Sequence, residues 1–252
     1  MLVDDDRLVP EPVDAVEVLA ATYLFEDLTR EQLGPLAASA RVRRLVRDER
    51  LFAPGDPAEE LYVIVDGELK DSVTNMDGEQ VVHFIHGPGM VLGEPGFFSQ
   101  ERNRIVEVRA TRATTVLMLS RSALQPVLDV YPVVKDRALE FLASNSRWQT
   151  TLVSALATQP LEHRLLLRIL ELADSTERSG TEPASTPEIT QSTLAAMVGA
   201  SRENVNRALN ALTLRGAIRR IGSRYVLPDE AAVRAEVAQD FPSIVRRDVR
   251  RA

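Results

Sequence analysis

The chain has no cysteine among its 252 residues. That excludes a disulfide scaffold, thiolate zinc sites and a cysteine-ligated iron–sulfur sensor, and it fits a reducing compartment. Histidine is nearly as scarce, with three residues. His83 and His86 in "VVHFIHG" are the one candidate ligand pair, and an i, i+3 spacing on a strand predicts that they point to opposite faces. A barrel metalloenzyme, the rival functional class, therefore has a poor chelate to build on, and no catalytic or metal-ligating residue is assigned. No apolar run approaches the roughly 18–20 residues of a membrane span. The start, "MLVDDDRLVPEPVD", is acidic and proline-containing, unlike a signal or transit peptide. The expectation is a soluble, cytoplasmic chain without membrane contact.

Charge is unevenly distributed. The net charge is −7, yet residues 190–252 hold eleven Arg and six Asp or Glu, which gives 11 − 6 = +5 there and leaves −12 for the rest. A basic C-terminal module on an acidic body predicts a polyanion partner for that module alone.

The pattern along the chain predicts an α+β protein. Residues 1–20 are expected to form a poorly ordered tail. The stretch around 21–45 has helical spacing, with Thr29 as N-cap and Glu31 and Gln32 in the first turn. Between about 45 and 120 the texture changes to short β-prone runs, "LYVIV", "ELKDSVT", "VVHFI", "VEVRA" and "TTVLML", separated by turn pairs such as Asp66-Gly67 and Asp77-Gly78. Such spacing predicts an antiparallel β-barrel or jelly roll, giving a domain over 21–131. A long helix follows over 132–158, started by Pro132. It carries two apolar rows. One is Val134, Ala138, Phe141, Trp148 and Leu152; the other is Leu139, Leu142, Ser146, Gln149, Val153 and Leu156. Two rows imply two things to cover, either two parts of one subunit or its own barrel and a second copy of the chain.

Residues 159–228 read as helix, polar loop (174–187), helix, Gly199-Ala200 turn, helix, and a hairpin around Gly222-Ser223. That order is the winged helix-turn-helix pattern. In "SRENVNRALNALTL", Val205, Ala208, Leu209 and Leu212 share one side of a 3.6-residue projection. Arg202, Glu203, Asn206 and Arg207 take the other. Arginine can donate twice to guanine and glutamate can accept from cytosine in the major groove. Ser201 and Thr190, at helix starts, suit phosphate, and Arg219, Arg220 and Arg224 on the hairpin suit sequence-neutral phosphate contacts. Double-stranded DNA is the expected partner. Residues 229–252 read as a helical extension of unassigned role.

These residues resemble the cyclic-nucleotide-type bacterial transcription regulators, the catabolite activator and fumarate–nitrate regulator family. The resemblance spans about 20–228 and rests on "GDPAEELYVIVDGELK", "VLGEPGFFSQERNRIVEVRA", the helix after "YP", and "ITQSTLAAMVGASRENVNRALNALTLRGAI". It implies an effector-binding barrel, a dimerisation helix at 132–158, and a homodimer on a palindromic operator with TGTGA-like half-sites read by Arg202, Glu203 and Arg207. RNA polymerase is a further implied partner. For the barrel it implies that Gly93, Glu94 and Arg104 hold the ribose and cyclic phosphate of cAMP. Three departures stand out: Ile105 replaces the hydroxyl residue expected after the arginine, Pro95 follows Glu94, and Gln149-Thr150 replaces the Thr-Ser pair that reads adenine. Three readings stay open: cAMP or another cyclic nucleotide, a different anionic effector, or a degenerate pocket with constitutive DNA binding.

Overall fold

The computed structural model describes residues 13–176 and 183–240. The N-terminal helix α1 (Ala15–Ala20) is capped by Asp14, whose carboxylate accepts from Val16 N at 3.0 Å and Glu17 N at 3.1 Å. The expected tail is thus structured from Asp14 onward, because Leu19 is fully buried among apolar neighbours; residues 1–12 lie outside the described residues. Helix α2 (Arg30–Ser39) begins with a Thr29–Gln32 capping box. It ends earlier than its spacing suggests. Ala40 is extended, and Arg41–Leu45 form strand β1; pairing with a neighbouring strand outweighs local helical periodicity.

The remaining strands of this domain are β2 (Arg50–Phe52), β3 (Glu60–Asp66), β4 (Leu69–Thr74), β5 (Gln80–His86), β6 (Val91–Leu92), β7 (Glu107–Ala110) and β8 (Thr114–Ser120). They form two antiparallel sheets, β1-β8-β3-β6 and β2-β7-β4-β5, a jelly-roll-like sandwich with no closed barrel. Strand β3 shows why. Tyr62 and Ile64 point between the sheets with Phe52, Leu69, Val108 and Val116, while Leu61 and Val63 point outward under the helices. Period-two alternation with both faces apolar gives a strand buried on both sides.

Helix α3 (Glu94–Phe98) sits between β6 and β7, and α4 (Arg121–Val130) leads into the 27-residue α5 (Pro132–Thr158). Along α5 the two rows separate. Val134, Ala138 and Trp148 are buried, whereas Leu139 and Val153 are each 65% exposed and Leu156 is 50% exposed.

The C-terminal unit contains α6 (Leu161–Asp174), α7 (Gln191–Val198), α8 (Arg202–Leu214), the hairpin β9 (Arg219–Ile221) and β10 (Arg224–Val226), and α9 (Glu230–Asp240). Helix α9 is part of its core, since Val233 and Val237 are buried in the same cluster as Leu166, Leu194 and Leu209. Residues 241–252 of the predicted extension lie outside the described residues, as do 177–182 of the polar loop.

The two units are joined through β5. Opposite Asp71 and Ser72 of β4, the β5 partners are Phe84 and Val82, so His83 is an extra residue in the ladder. Asp71 Oδ1 accepts the Phe84 N–H at this bulge. A bulge shifts the alternation by one, and Val82 and Ile85 both enter the apolar cluster of the C-terminal unit. Arg168 of α6, 6% exposed, donates to His83 O at 3.1 Å, to Met197 O at 3.3 Å and to Glu171 Oε2 at 2.7 Å.

Candidate nucleic-acid interface and effector cavity

Helix α8 is placed by its apolar side. Val205, Ala208, Leu209 and Leu212 are buried, and Arg202, Glu203, Asn206 and Arg207 are exposed. Gly199 takes φ +61°, which ends α7 and turns the chain within two residues toward the next helix. Ser201 caps α8 by accepting from Asn204 N at 3.2 Å, and Thr190 caps α7 by accepting from Thr193 N at 3.0 Å. Capping commits a lone pair of each hydroxyl and leaves the N-terminal N–H groups of both helices pointing outward. Asn206 Oδ1 accepts from Gln191 Nε2 at 3.1 Å, bracing the start of α7 against α8. Arg207 Nη2 bonds Asn204 Oδ1 one turn back. Arg219, Arg220 and Arg224 are exposed on the hairpin, and Arg215 is held away from this set by a two-point pair with Glu236, at 2.8 and 3.0 Å. The structure therefore brings Arg202, Glu203, Asn206 and Arg207 onto one face.

The second site is a cavity of about 200 Å³ between the sandwich and α5. Gly93, Glu94, Arg104, Ile105 and Gln149 line it. Thr150 does not; its hydroxyl donates along α5 to Ser146 O at 3.0 Å. Arg104 is 3% exposed, and its guanidinium donates to Gly93 O at 3.1 Å and Glu60 O at 2.6 Å. It also lies 4.4 Å from the Phe52 ring centroid and 5.4 Å from that of Tyr62. Burial pulls its pKa below the usual arginine value, partly offset by Tyr62 and Glu60. Gly93 (φ +99°) permits this closeness, since a Cβ there would stand 2.4 Å from Arg104 Nη1. Glu94 is 2% exposed and accepts from the Tyr23 hydroxyl at 2.7 Å. Burial pushes its carboxyl above the ordinary 4.5. Ile105 is 61% exposed.

Sequence reasoning missed several cavity groups. His83 and His86 both line it, contrary to the opposite-face expectation, because the bulge at His83 breaks the alternation. His86 Nε2 lies 3.4 Å from Asp71 Oδ2 without forming a hydrogen bond to it. Phe141 and Asn145 face the cavity from α5; Phe141 was visible only as one member of an apolar row. Among the described residues no three His, Cys, Asp or Glu groups cluster to hold a metal ion, and no helix is long and apolar enough to cross a membrane.

Comparison with known proteins agrees with this architecture. The cyclic nucleotide-binding domain family matches residues 42–131, and the Crp-like helix-turn-helix domain family matches 163–236. The Cyclic AMP receptor protein of Thermus thermophilus is 30% identical over 216 residues, covering 85% of this chain and 96% of the relative. The chain belongs to the CRP/FNR family. It is a DNA-binding transcription regulator with a cyclic nucleotide-binding-type domain, and its relatives are regulators rather than enzymes. A CRP-like cAMP-activated global transcriptional regulator of Mycobacterium tuberculosis is 29% identical over 222 residues, covering 84% of this family member and 95% of the relative. FixK2 from Bradyrhizobium japonicum shares the fold, with a TM-score of 0.68 at 21% identity over 78% of this chain and 96% of that one.

Proposed function

We propose that this regulator reads a palindromic, TGTGA-like operator as a homodimer, and that it does so without a cyclic nucleotide. Arg202, Glu203 and Arg207 of each copy meet base edges in the major groove, Ser201 and Thr190 anchor phosphates at helix starts, and the hairpin arginines add sequence-neutral attraction. The observation that carries the reading is the division of α8 into a buried apolar side and an exposed Arg-Glu-Asn-Arg side. The exposed Leu139, Val153 and Leu156 row supports pairing of two α5 helices, which would set two copies of α8 one DNA turn apart, about 34 Å.

The cavity supports the effector-free part. Its one guanidinium already serves two backbone carbonyls and two aromatic rings. Its buried carboxyl already serves Tyr23. Asp71 adds an acidic group to the lining, and Ile105 offers no hydroxyl. The volume also falls below the roughly 300–1,000 Å³ of ordinary ligand pockets. A cyclic phosphate would have to compete with the internal partners of Arg104 Nη1 and Nη2, with Nε alone left without one, and sit beside the acidic groups of Asp71 and Glu94. These residues therefore fit it poorly, although both relatives described above are named for cAMP.

Binding-site selection from random duplexes, with and without cAMP, tests both parts. The expected product is an inverted repeat enriched equally in the two conditions. Arg207→Ala is expected to lose about 1–3 kcal/mol of discrimination at one base step of each half-site. Absence of any sequence preference at physiological salt would overturn the assignment of α8, and enrichment only with cAMP would overturn the effector-free part.

A further inference from the structure

Behind the cavity wall the segment between α1 and α2 holds α5 at two points. The Tyr23 ring stacks on Phe141, with centroids 5.0 Å apart and planes 24° from parallel. One turn earlier on α5, Arg137 pairs with Glu26 and Asp27, each at 2.8 Å. Residues i and i+4 share one helix face, so Arg137 and Phe141 present a single edge of α5 to this segment. The segment itself is fixed, because Leu24 and Phe25 are buried in the core and Thr22 Oγ1 donates to Leu19 O at 2.8 Å. From this support the Tyr23 hydroxyl reaches Glu94, the first residue of α3. Glu94 and Phe141 both line the cavity, one from the sandwich side and one from the long helix.

We propose that Tyr23 is an internal strut that holds α5 against the sandwich in its operator-binding arrangement, bridging the two sides of the cavity as a bound effector otherwise would. This rests on the effector-free reading above. A ligand can shift a conformational equilibrium only through contacts that differ between states, and Tyr23 makes a covalently tethered version of such contacts: a ring on the helix and a hydroxyl on the buried Glu94 carboxyl. Tethering removes the concentration dependence. Tyr23 is a positioning residue and touches no DNA in this scheme.

The test uses the full-length chain and fluorescence anisotropy on the selected duplex. Tyr23→Phe keeps the ring and removes the hydroxyl; the lost hydrogen bond to the buried Glu94 carboxyl is expected to raise Kd about tenfold. Tyr23→Ala removes both contacts and is expected to weaken binding further. Phenol should restore that variant toward wild type while benzene, which lacks the hydroxyl, should not; a purely structural role would not distinguish them. Phe25→Leu, which disturbs the neighbouring core without touching Glu94, is expected to stay within about twofold of wild type at a factor worth under 0.5 kcal/mol. Tyr23→Phe binding like wild type, or equal rescue by phenol and benzene, would overturn the strut; if Tyr23→Ala does not fold, Tyr23→Phe decides alone. Should wild type itself need cAMP, the effector-free reading falls, and the strut is judged by the Tyr23→Phe to wild-type ratio at saturating nucleotide.

Discussion

Replacing Arg168 by methionine is expected to destabilise the protein by about 3–5 kcal/mol, the range for removing one partner of a buried ion pair. The size follows from its surroundings. The Arg168 side chain is 7% exposed and the Glu171 side chain 0%, with 2.7 Å between them. The same guanidinium serves two backbone carbonyls, His83 O and Met197 O. Hydrogen bonds to a charged group contribute about 1.5–3 kcal/mol each, and because they share one donor they do not simply add. Methionine keeps most of the stem volume, so the lost term is polar. The matched comparison is Arg137→Met, whose partners are partly solvent-exposed and whose loss is expected to fall nearer the 0–1 kcal/mol of surface pairs. Trp148, the single tryptophan, is buried in the apolar cluster shared by α5, β5 and the C-terminal unit. Its fluorescence therefore reports the joint, while circular dichroism reports the whole chain. In urea, Arg168→Met should lower the fluorescence midpoint and separate it from the dichroism midpoint. Coincident transitions within about 1 kcal/mol of wild type would refute the reasoning, since coincidence of probes is the mark of an undivided cooperative unit.

Val153→Glu, on the exposed row of α5, is expected to shift the chain to monomer by light scattering and with it abolish tight operator binding. Arg219→Ala on the hairpin is expected to weaken all duplexes alike and reduce the slope of log K against log salt by about one. Glu94→Gln tests the buried carboxyl by pH. Burial raises the folded pKa above 4.5, so the native state holds this proton more tightly than the unfolded chain, and stability falls as pH rises from about 4.5 through the raised value. The glutamine variant has no proton to lose. Its stability relative to wild type should be constant below pH 4.5 and increase above it; a difference independent of pH between 4 and 8 would contradict the burial argument.

Much of the architecture was legible because it follows local rules. The Thr29 capping box, the β-prone run of β3, the Pro132 helix start and the Gly199 turn each depend on residues a few positions apart. The polar side of α8 was legible for the same reason. What escaped depends on distant pairing. Arg41–Leu45 look helical in isolation and become a strand because β8 is their neighbour. Glu94 and Arg104 were picked out by the family resemblance, but their occupation by Tyr23, 71 residues away in sequence, and by Glu60, 44 residues away, could not be read from it. The histidine pair was misjudged for a subtler reason: alternation is a property of an unbroken ladder, and one surplus residue in β5 cancels it.

That surplus residue also decides what kind of joint links the two halves. A residue bulged out of the sheet has a carbonyl without ladder duty, and the His83 carbonyl is the one Arg168 grips. The grip is on main chain, so it is blind to the side chain at position 83. Substitutions there that keep the backbone of the bulge, proline excepted, would leave the joint intact, and the cavity lining can change without loosening the arm that carries α8. Cavity lining and mechanical linkage thus occupy one residue while remaining separately mutable.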